Sequence, residues 1–220
     1  GEENRRVSQE TVDALEAIGA FRITQPAHYG GYEANSRAQV DVGAAVGRGD
    51  GGTAWIVALT NIANWLTALY PAQAQEDVWG ADRNAKVSVV LATNGKTQRV
   101  EGGYRVSGEW SYNSASWHTT WAILGAELVD ENGAFVDTAQ LLIPRSDLHF
   151  KDTWYVAGMR STGSNSLSAT DIFVPDHRVM RGEPALSGVY PGTTEDTPGV
   201  YRAGWIPALN ILLVGPPLGL

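Results

Sequence analysis

The residues in this sequence best suited to chemistry form a polar run, Asn113-Ser114-Ala115-Ser116, which follows a strongly β-forming stretch. Asn113 and Ser114 are hydrogen-bonding residues, and a serine hydroxyl both donates and accepts. Apolar residues resume at Trp121, so the run lies between two predicted strands. Such a run forms either a surface turn or the wall of a binding site, and composition by itself favours the surface turn.

Conventional catalytic constellations are absent from the sequence. There is no cysteine, and therefore no thiolate nucleophile or thiolate metal site. No G-x-S-x-G motif occurs, and the acidic residues are scattered. The histidines have no metal-ligand spacing, and His118, as a loop residue, is expected to be solvated. The histidines are His28, His118, His149 and His177.

The polar run is positioned by predicted β-structure. Gly102 and Gly103 permit a tight turn, because glycine adopts positive φ without steric cost. Tyr104–Val106 and Glu109–Tyr112 are predicted as two short strands, separated by a break at Ser107-Gly108. The other predicted strands are Lys86–Leu91, Trp121–Leu128, Thr138–Ile143 and Ser166–Val174.

Helical patterns precede these strands. Ser8 is a suitable N-cap for the first helix, and Ser36 opens the second. Thr53–Leu69 has apolar residues around nearly its whole circumference, which predicts a helix buried on several sides or crossing a subunit interface. Pro71 begins a fourth helix. Because helices come first and strands second, the predicted class is α+β with an antiparallel sheet or barrel.

Composition narrows the possible partners and location. Of 220 residues, 43% are hydrophobic and 18% charged, which predicts a packed core. A net charge of −8 argues against nucleic acid or an anionic membrane as the main partner. There is no uninterrupted apolar run of about 18 residues, and the absence of cysteine fits a cytoplasmic protein. The start at Gly1 and the apolar end suggest a fragment.

Several separated stretches resemble one family. Gly102–Ser114 is similar to the middle β-domain of the acyl-CoA dehydrogenase fold, in particular its two-component flavin-dependent monooxygenase branch. Asp152–Asn165 resembles the second signature of that branch, and Asp171–Pro175 the strand after it. Tyr29-Gly30-Gly31 and Gly51–Trp55 resemble the helical N-terminal domain. The resemblance covers nearly the whole chain, with its parts in the family's order.

The resemblance implies an architecture. Residues 1–85 would form an N-terminal helical domain and residues 86–180 a middle antiparallel β-barrel domain. Residues 181–220 would be a loop and the first part of a C-terminal helical bundle whose remainder is absent. In this family the flavin sits between barrel and bundle, and the assembly is usually a homotetramer.

The resemblance also implies an activity. The chain would belong to a flavin-dependent monooxygenase that hydroxylates an aromatic or polycyclic small molecule through a flavin C4a-hydroperoxide. Reduced FMN or FAD would come from a separate flavin reductase, and O₂ would be the co-substrate. The family's catalytic histidine lies in the bundle, beyond Leu220. The alternatives are an acyl-CoA dehydrogenase-type desaturase, disfavoured by the run Leu91-Ala92-Thr93-Asn94, and a non-catalytic member of the fold.

The resemblance assigns site residues by position. Ser114 matches the hydroxyl residue that faces the flavin N5 edge, and it is the predicted catalytic residue. Many relatives have Ser-Gly where this chain has Ser114-Ala115, so a stiffer loop is expected. A turn serine and ordinary core residues are the simpler accounts of the same positions. The other implied cofactor-binding residues are Trp55, Val90, Leu91, Tyr112 and Asn113.

Overall fold

The computed structural model describes residues 1–219, which form N-terminal helices, one β-sheet and short C-terminal helices. Side chains cap three of the helices: Ser8 Oγ accepts from the Thr11 N–H at 3.2 Å, Asn35 Oδ1 from the Ala38 N–H at 3.1 Å, and Asp50 Oδ2 from the Thr53 N–H at 2.6 Å. The α-helices are α1 (Gln9–Ala17), α2 (Ser36–Gly47), α3 (Gly51–Thr67), α4 (Ala72–Trp79), α5 (Gly182–Leu186), α6 (Trp205–Leu212) and α7 (Gly215–Gly219).

Helix α3 is the central helix of the fold. It packs against α2, the sheet and the C-terminal helices, so the prediction of a helix buried on several sides is confirmed. It begins at Gly51, two residues before the predicted start, because Asp50 provides the cap. Within residues 1–219, no helix combines the length and the apolar character that crossing a lipid bilayer requires.

The sheet contains seven strands in the order β5-β6-β2-β1-β3-β4-β7. Neighbouring strands are antiparallel, except that β1 and β3 are parallel. The strands are β1 (Val87–Val100), β2 (Gly103–Asn113), β3 (Trp121–Val129), β4 (Phe135–Pro144), β5 (His149–Lys151), β6 (Asn165–Pro175) and β7 (Val179–Arg181).

The predicted antiparallel barrel is wrong in two respects: the sheet is mixed, and it is not closed. Strand β2 pairs with one edge of β1 through a hairpin, so β3 occupies the other edge and runs parallel to β1. The edge strands β5 and β7 are not paired with each other within residues 1–219. The sheet nevertheless curls, because β4 and β6 contact each other although three strands separate them in the order.

Two strand predictions also need correction. The break predicted at Ser107-Gly108 is a shift of register against β6 within one continuous strand, β2. Strand β1 extends beyond Leu91, with its own register shift between Val90 and Gly95. At Gly125 of β3, a Cβ would lie 2.4 Å from the Leu91 carbonyl oxygen. Glycine at this position therefore allows β3 to pass close to the irregular part of β1.

Hydrophobic residues form a core on each face of the sheet. Ile123 and Leu142 belong to the core shared with the helices, whereas Leu124 and Leu141 belong to the opposite core with Trp110. Adjacent residues of a strand face opposite sides, so β3 and β4 contribute to both cores.

A buried asparagine joins α3 to the segment that follows α1. Asn61 is fully buried, and its Oδ1 accepts from the Ile23 N–H at 2.8 Å. Its Nδ2 donates to the carbonyl oxygens of Ala20 at 2.8 Å and Val57 at 2.9 Å. These bonds satisfy backbone groups of Ala20 and Ile23 in the segment after α1 and tie that segment to α3.

We expect Asn61→Ala to lower the free energy of unfolding by about 2–4 kcal/mol, since it leaves buried backbone groups without partners. Asn64→Ala is the matched control, because Asn64 lies one turn later on α3 and bonds only the Phe21 carbonyl oxygen, at 2.7 Å. Denaturant unfolding of the two variants measures the difference. Equal losses in both variants would contradict the role assigned to Asn61.

Candidate functional site

A cavity of about 410 Å³ lies between α3, the sheet and the C-terminal helices. Small-molecule sites usually have volumes of about 300–1,000 Å³ and mostly apolar walls. The aliphatic and indole side chains of this cavity come from α3, β1 and the region of α6, and they are Trp55, Leu59, Ile62, Val89, Leu91, Leu209 and Leu213.

Ser114 is the residue that follows β2, and it lines this cavity with only 7% of its surface exposed. Tyr112 and Ala115, on either side of it, have positive φ angles of 63° and 60°. The register of β2 against β6 shifts between Trp110 and Asn113. The backbone therefore leaves the sheet in a sharp turn that directs Ser114 inward. Ala115 adopts the left-handed conformation that glycine favours.

Hydroxyl groups form a hydrogen-bonded row along the cavity wall, from Ser114 to Ser164 and Thr162. Trp55 Nε1 donates to Ser114 Oγ at 3.2 Å. Ser114 Oγ lies 2.8 Å from Ser164 Oγ, which lies 2.7 Å from Thr162 Oγ1. Thr162 Oγ1 donates to the Met159 carbonyl oxygen at 2.9 Å. The row gives an otherwise apolar cavity one polar edge.

The loop of residues 152–164 supplies another wall of the cavity. Trp154 lines the cavity and lies edge-on to Tyr112, with ring centroids 5.9 Å apart and an interplanar angle of 87°. Its Nε1 donates to the Met159 carbonyl oxygen at 3.1 Å. Arg5 forms an ion pair of 2.6 Å with Asp152 at the base of the loop. The N-terminal segment thus helps to hold this wall.

The structure brings four of the six predicted site residues together, at the cavity: Trp55, Leu91, Tyr112 and Ser114.

The other two predicted residues lie outside the cavity lining. Val90 packs against the core on the opposite face of the sheet, because Val89 and Leu91 take the cavity face by strand alternation. Asn113 is fully buried, and neither polar atom of its side chain has a hydrogen-bond partner within residues 1–219. A direct contact between these side chains and a ligand in the cavity is therefore not supported. Cofactor binding by the four cavity residues stays a prediction.

The comparisons with known proteins agree on one family. Residues 1–82 match the family model of the acyl-CoA dehydrogenase N-terminal domain. Over 204 residues the chain is 38% identical to the flavin-dependent monooxygenase oxygenase subunit HsaA of Rhodococcus jostii strain RHA1, covering 93% of this chain and 53% of that protein. It is 34% identical over 191 residues to the FADH(2)-dependent resorcinol hydroxylase oxygenase component of a Rhizobium species, covering 87% of this chain and 47% of that protein.

Residues 1–82 thus match the acyl-CoA dehydrogenase family, and nearly the whole chain resembles flavin-dependent monooxygenases. Its structure superposes on the HsaA monooxygenase of M. tuberculosis with a TM-score of 0.92 and 34% identity, covering 99% of this chain and 58% of that one. It superposes on Streptomyces XiaF in complex with FADH2 and glycerol with a TM-score of 0.86 and 33% identity, covering 96% and 53%. The chain thus spans about half the length of these relatives.

The sequence analysis missed several residues that surround Ser114 in the structure. Ser164 and Thr162 bond into the same hydroxyl row, and Trp154 and Leu209 line the cavity. Asp152–Asn165 was identified as a family signature, but no hydroxyl within it was singled out. Residues some fifty positions from Ser114 in sequence meet it only through tertiary structure.

His118 lies outside this cavity and is not the solvated residue that the sequence predicted. Its Nε2 lies 3.1 Å from the Val7 carbonyl oxygen, so Nε2 carries the proton and donates. Burial lowers the pKa of His118 below its ordinary value, and the nearby cations Arg6 and Lys86 act in the same direction. The Val7 hydrogen bond and Asp13 oppose this shift without reversing it.

The lowered pKa predicts a stability loss in mild acid. As the pH falls through about 6.5, the unfolded chain takes up the proton before the folded chain does, so the folded state loses stability. Wild-type protein should therefore lose more unfolding free energy between pH 7.5 and 5.5 than His118→Gln, which keeps a donor for Val7. His149→Gln, at an exposed histidine, is the control and should follow the wild type. The same pH slope in His118→Gln and wild type would contradict this account.

Proposed function

We propose that the natural full-length protein is the oxygenase component of a two-component flavin-dependent monooxygenase, which hydroxylates an aromatic or polycyclic small molecule. The observation that carries the proposal is the buried Ser114 hydroxyl on the polar edge of an apolar cavity. It supports the proposal because the chain resembles oxygenase components of flavin-dependent monooxygenases over nearly its whole length.

The residues at the cavity fit a reduced flavin ring. The ring is flat, with apolar faces and with nitrogen atoms along one edge that form hydrogen bonds. Trp55 and Leu91 offer surfaces for the faces, and Ser114 offers a hydroxyl to the nitrogen-bearing edge. Tyr112 and Trp154 form the wall opposite α3. We propose that these residues hold reduced FMN or FAD.

Bound reduced flavin supplies the activation of O₂, a reaction for which amino-acid side chains have no equivalent. The chain's own residues orient the ring and keep water away from it. Aliphatic residues from β1 and the α6 region and the indole of Trp154 surround the cavity. An apolar wall excludes water, which would otherwise divert the oxidant to free peroxide. Ser114, hydrogen-bonded to Trp55 and Ser164, holds a fixed hydroxyl at the polar edge.

The proposal includes partners that the full-length protein would need. A separate flavin reductase would deliver the reduced flavin, with O₂ as co-substrate, because the relatives are named as oxygenase subunits or components. The homotetramer, the C-terminal bundle, the division at residues 85 and 180, and the cytoplasmic location stay predictions. Nucleic acid and membranes remain disfavoured as partners by the acidic net charge of −8.

We expect the full-length protein to hydroxylate a phenol in the presence of reduced flavin and O₂. Reduced FMN or FAD is prepared anaerobically and then mixed with ¹⁸O₂ and a phenol panel that includes resorcinol. Mass spectrometry should show a product with one added ¹⁸O atom, formed only when the flavin is reduced. Failure to bind either reduced flavin would contradict the proposal. So would tight binding of oxidised FAD that acyl-CoA thioesters reduce, which would indicate a desaturase.

A further inference from the structure

The hydroxyl row contains as many protons as it has short oxygen–oxygen contacts. The contacts are Ser114–Ser164 at 2.8 Å, Ser164–Thr162 at 2.7 Å and Thr162 to the Met159 carbonyl at 2.9 Å. Two oxygens at such distances repel unless a proton lies between them. Three contacts thus require three protons, and the three hydroxyls carry one each. None is left over.

The direction of the row follows from its end. A carbonyl oxygen accepts only, so Thr162 gives its proton to Met159. Ser164 must then donate to Thr162, and Ser114 must donate to Ser164. Trp55 Nε1, which is a donor only, adds a further bond into Ser114 Oγ at 3.2 Å. Every proton of the row is therefore used in a hydrogen bond within the protein.

Ser114 consequently presents a lone pair to the cavity. Its oxygen donates once and accepts once within the protein, which leaves one acceptor site. Burial keeps this arrangement in place, because Ser114, Ser164 and Thr162 are 7%, 4% and 2% exposed. Water has little access to supply an alternative partner. A ligand atom placed against Ser114 must therefore be a hydrogen-bond donor.

We propose that this polarity makes the site selective for reduced over oxidised flavin, and that Thr162 and Ser164 are the residues that impose it. The inference rests on the proposed function and adds to it the determinant of redox-state specificity. Reduced flavin carries a proton on N5 and can donate to Ser114. Oxidised flavin has a lone pair at N5, which would face the lone pair of Ser114. To accommodate it, Ser114 must break its bond to Ser164, and a buried group left without a partner is costly.

This selectivity suits an enzyme that captures its flavin from a reductase. Oxidised flavin is present in the same solution and has nearly the same shape, so shape alone cannot exclude it. A hydrogen-bond acceptor held in a fixed direction favours reduced flavin, which has a proton on N5, over oxidised flavin, which lacks that proton. Thr162 and Ser164 also line the cavity, but each uses its proton within the row, so both act on N5 through Ser114 and are positioning residues.

The test compares dissociation constants, and no turnover is needed. Full-length wild type, Thr162→Val and Ser164→Ala are titrated with oxidised FMN and FAD in air and with the reduced forms anaerobically, by protein fluorescence. In Thr162→Val, Ser164 loses its acceptor and can donate to Ser114, which turns its own proton to the cavity. In Ser164→Ala, Ser114 loses its acceptor with the same result. The preference of wild type for reduced flavin should fall by about tenfold in both variants.

Two control variants separate this effect from general damage. Thr162→Ser keeps the hydroxyl and should keep the wild-type preference. Ser166→Ala removes a hydroxyl two residues after Ser164, near the start of β6, whose partners are Thr153 and Ser111 at 2.8 Å and 3.2 Å, and it should also leave the preference unchanged.

The possible outcomes distinguish the two proposals. Retained preference for reduced flavin in both Thr162→Val and Ser164→Ala would overturn this inference, as would equal affinity of wild type for the two redox states. Wild type that binds neither form of either flavin would instead overturn the proposed function.

Discussion

The junction between the end of β2 and the loop before β6 is the contact on which the site depends. The Ala115 N–H donates to the Thr162 carbonyl oxygen at 2.9 Å, and Ser114 bonds to Ser164 beside it. Ser116 Oγ extends the junction to the Gly163 carbonyl oxygen at 2.6 Å. The junction fixes two loops that come from distant parts of the sequence. Trp55 of α3 then bonds to the same serine, so helix and sheet meet at one hydroxyl.

Satisfaction of these polar groups within the protein explains how the cavity can be apolar and still contain a polar edge. A buried hydroxyl without a partner costs about 1–3 kcal/mol. Here each hydroxyl bonds to a neighbour, and the end of the row bonds to a backbone carbonyl. The lone pair of Ser114 that remains faces the cavity. The arrangement that stabilises the folded protein is thus the one that defines what a ligand must offer.

The sequence predicted those features of the structure that depend on residues close to one another in the chain. The cap at Ser8, the all-round apolar character of α3 and the polar turn at Ser114 depend on neighbouring residues. The family resemblance added Trp55 and Leu91, which lie at the cavity as neighbours of Ser114.

Properties set by distant contacts were not predictable. Strand order is not encoded in period-2 patterns, so the parallel β1–β3 pair and the open sheet were missed. The resemblance assigned Val90 together with Leu91 as parts of one strand, and strand alternation places the Val90 side chain on the opposite face. Ser164 and Thr162 were missed because their chemistry arises only when the loop folds against Ser114.

A crystal structure of the full-length protein with reduced flavin, grown anaerobically, would test the central claim most directly. The account predicts the flavin ring in the cavity between α3 and the sheet, with its N5 within about 3.2 Å of Ser114 Oγ. Ser114 should keep its bond to Ser164 in that complex. A flavin bound elsewhere on the protein, with Ser114 in contact only with other side chains, would contradict the account.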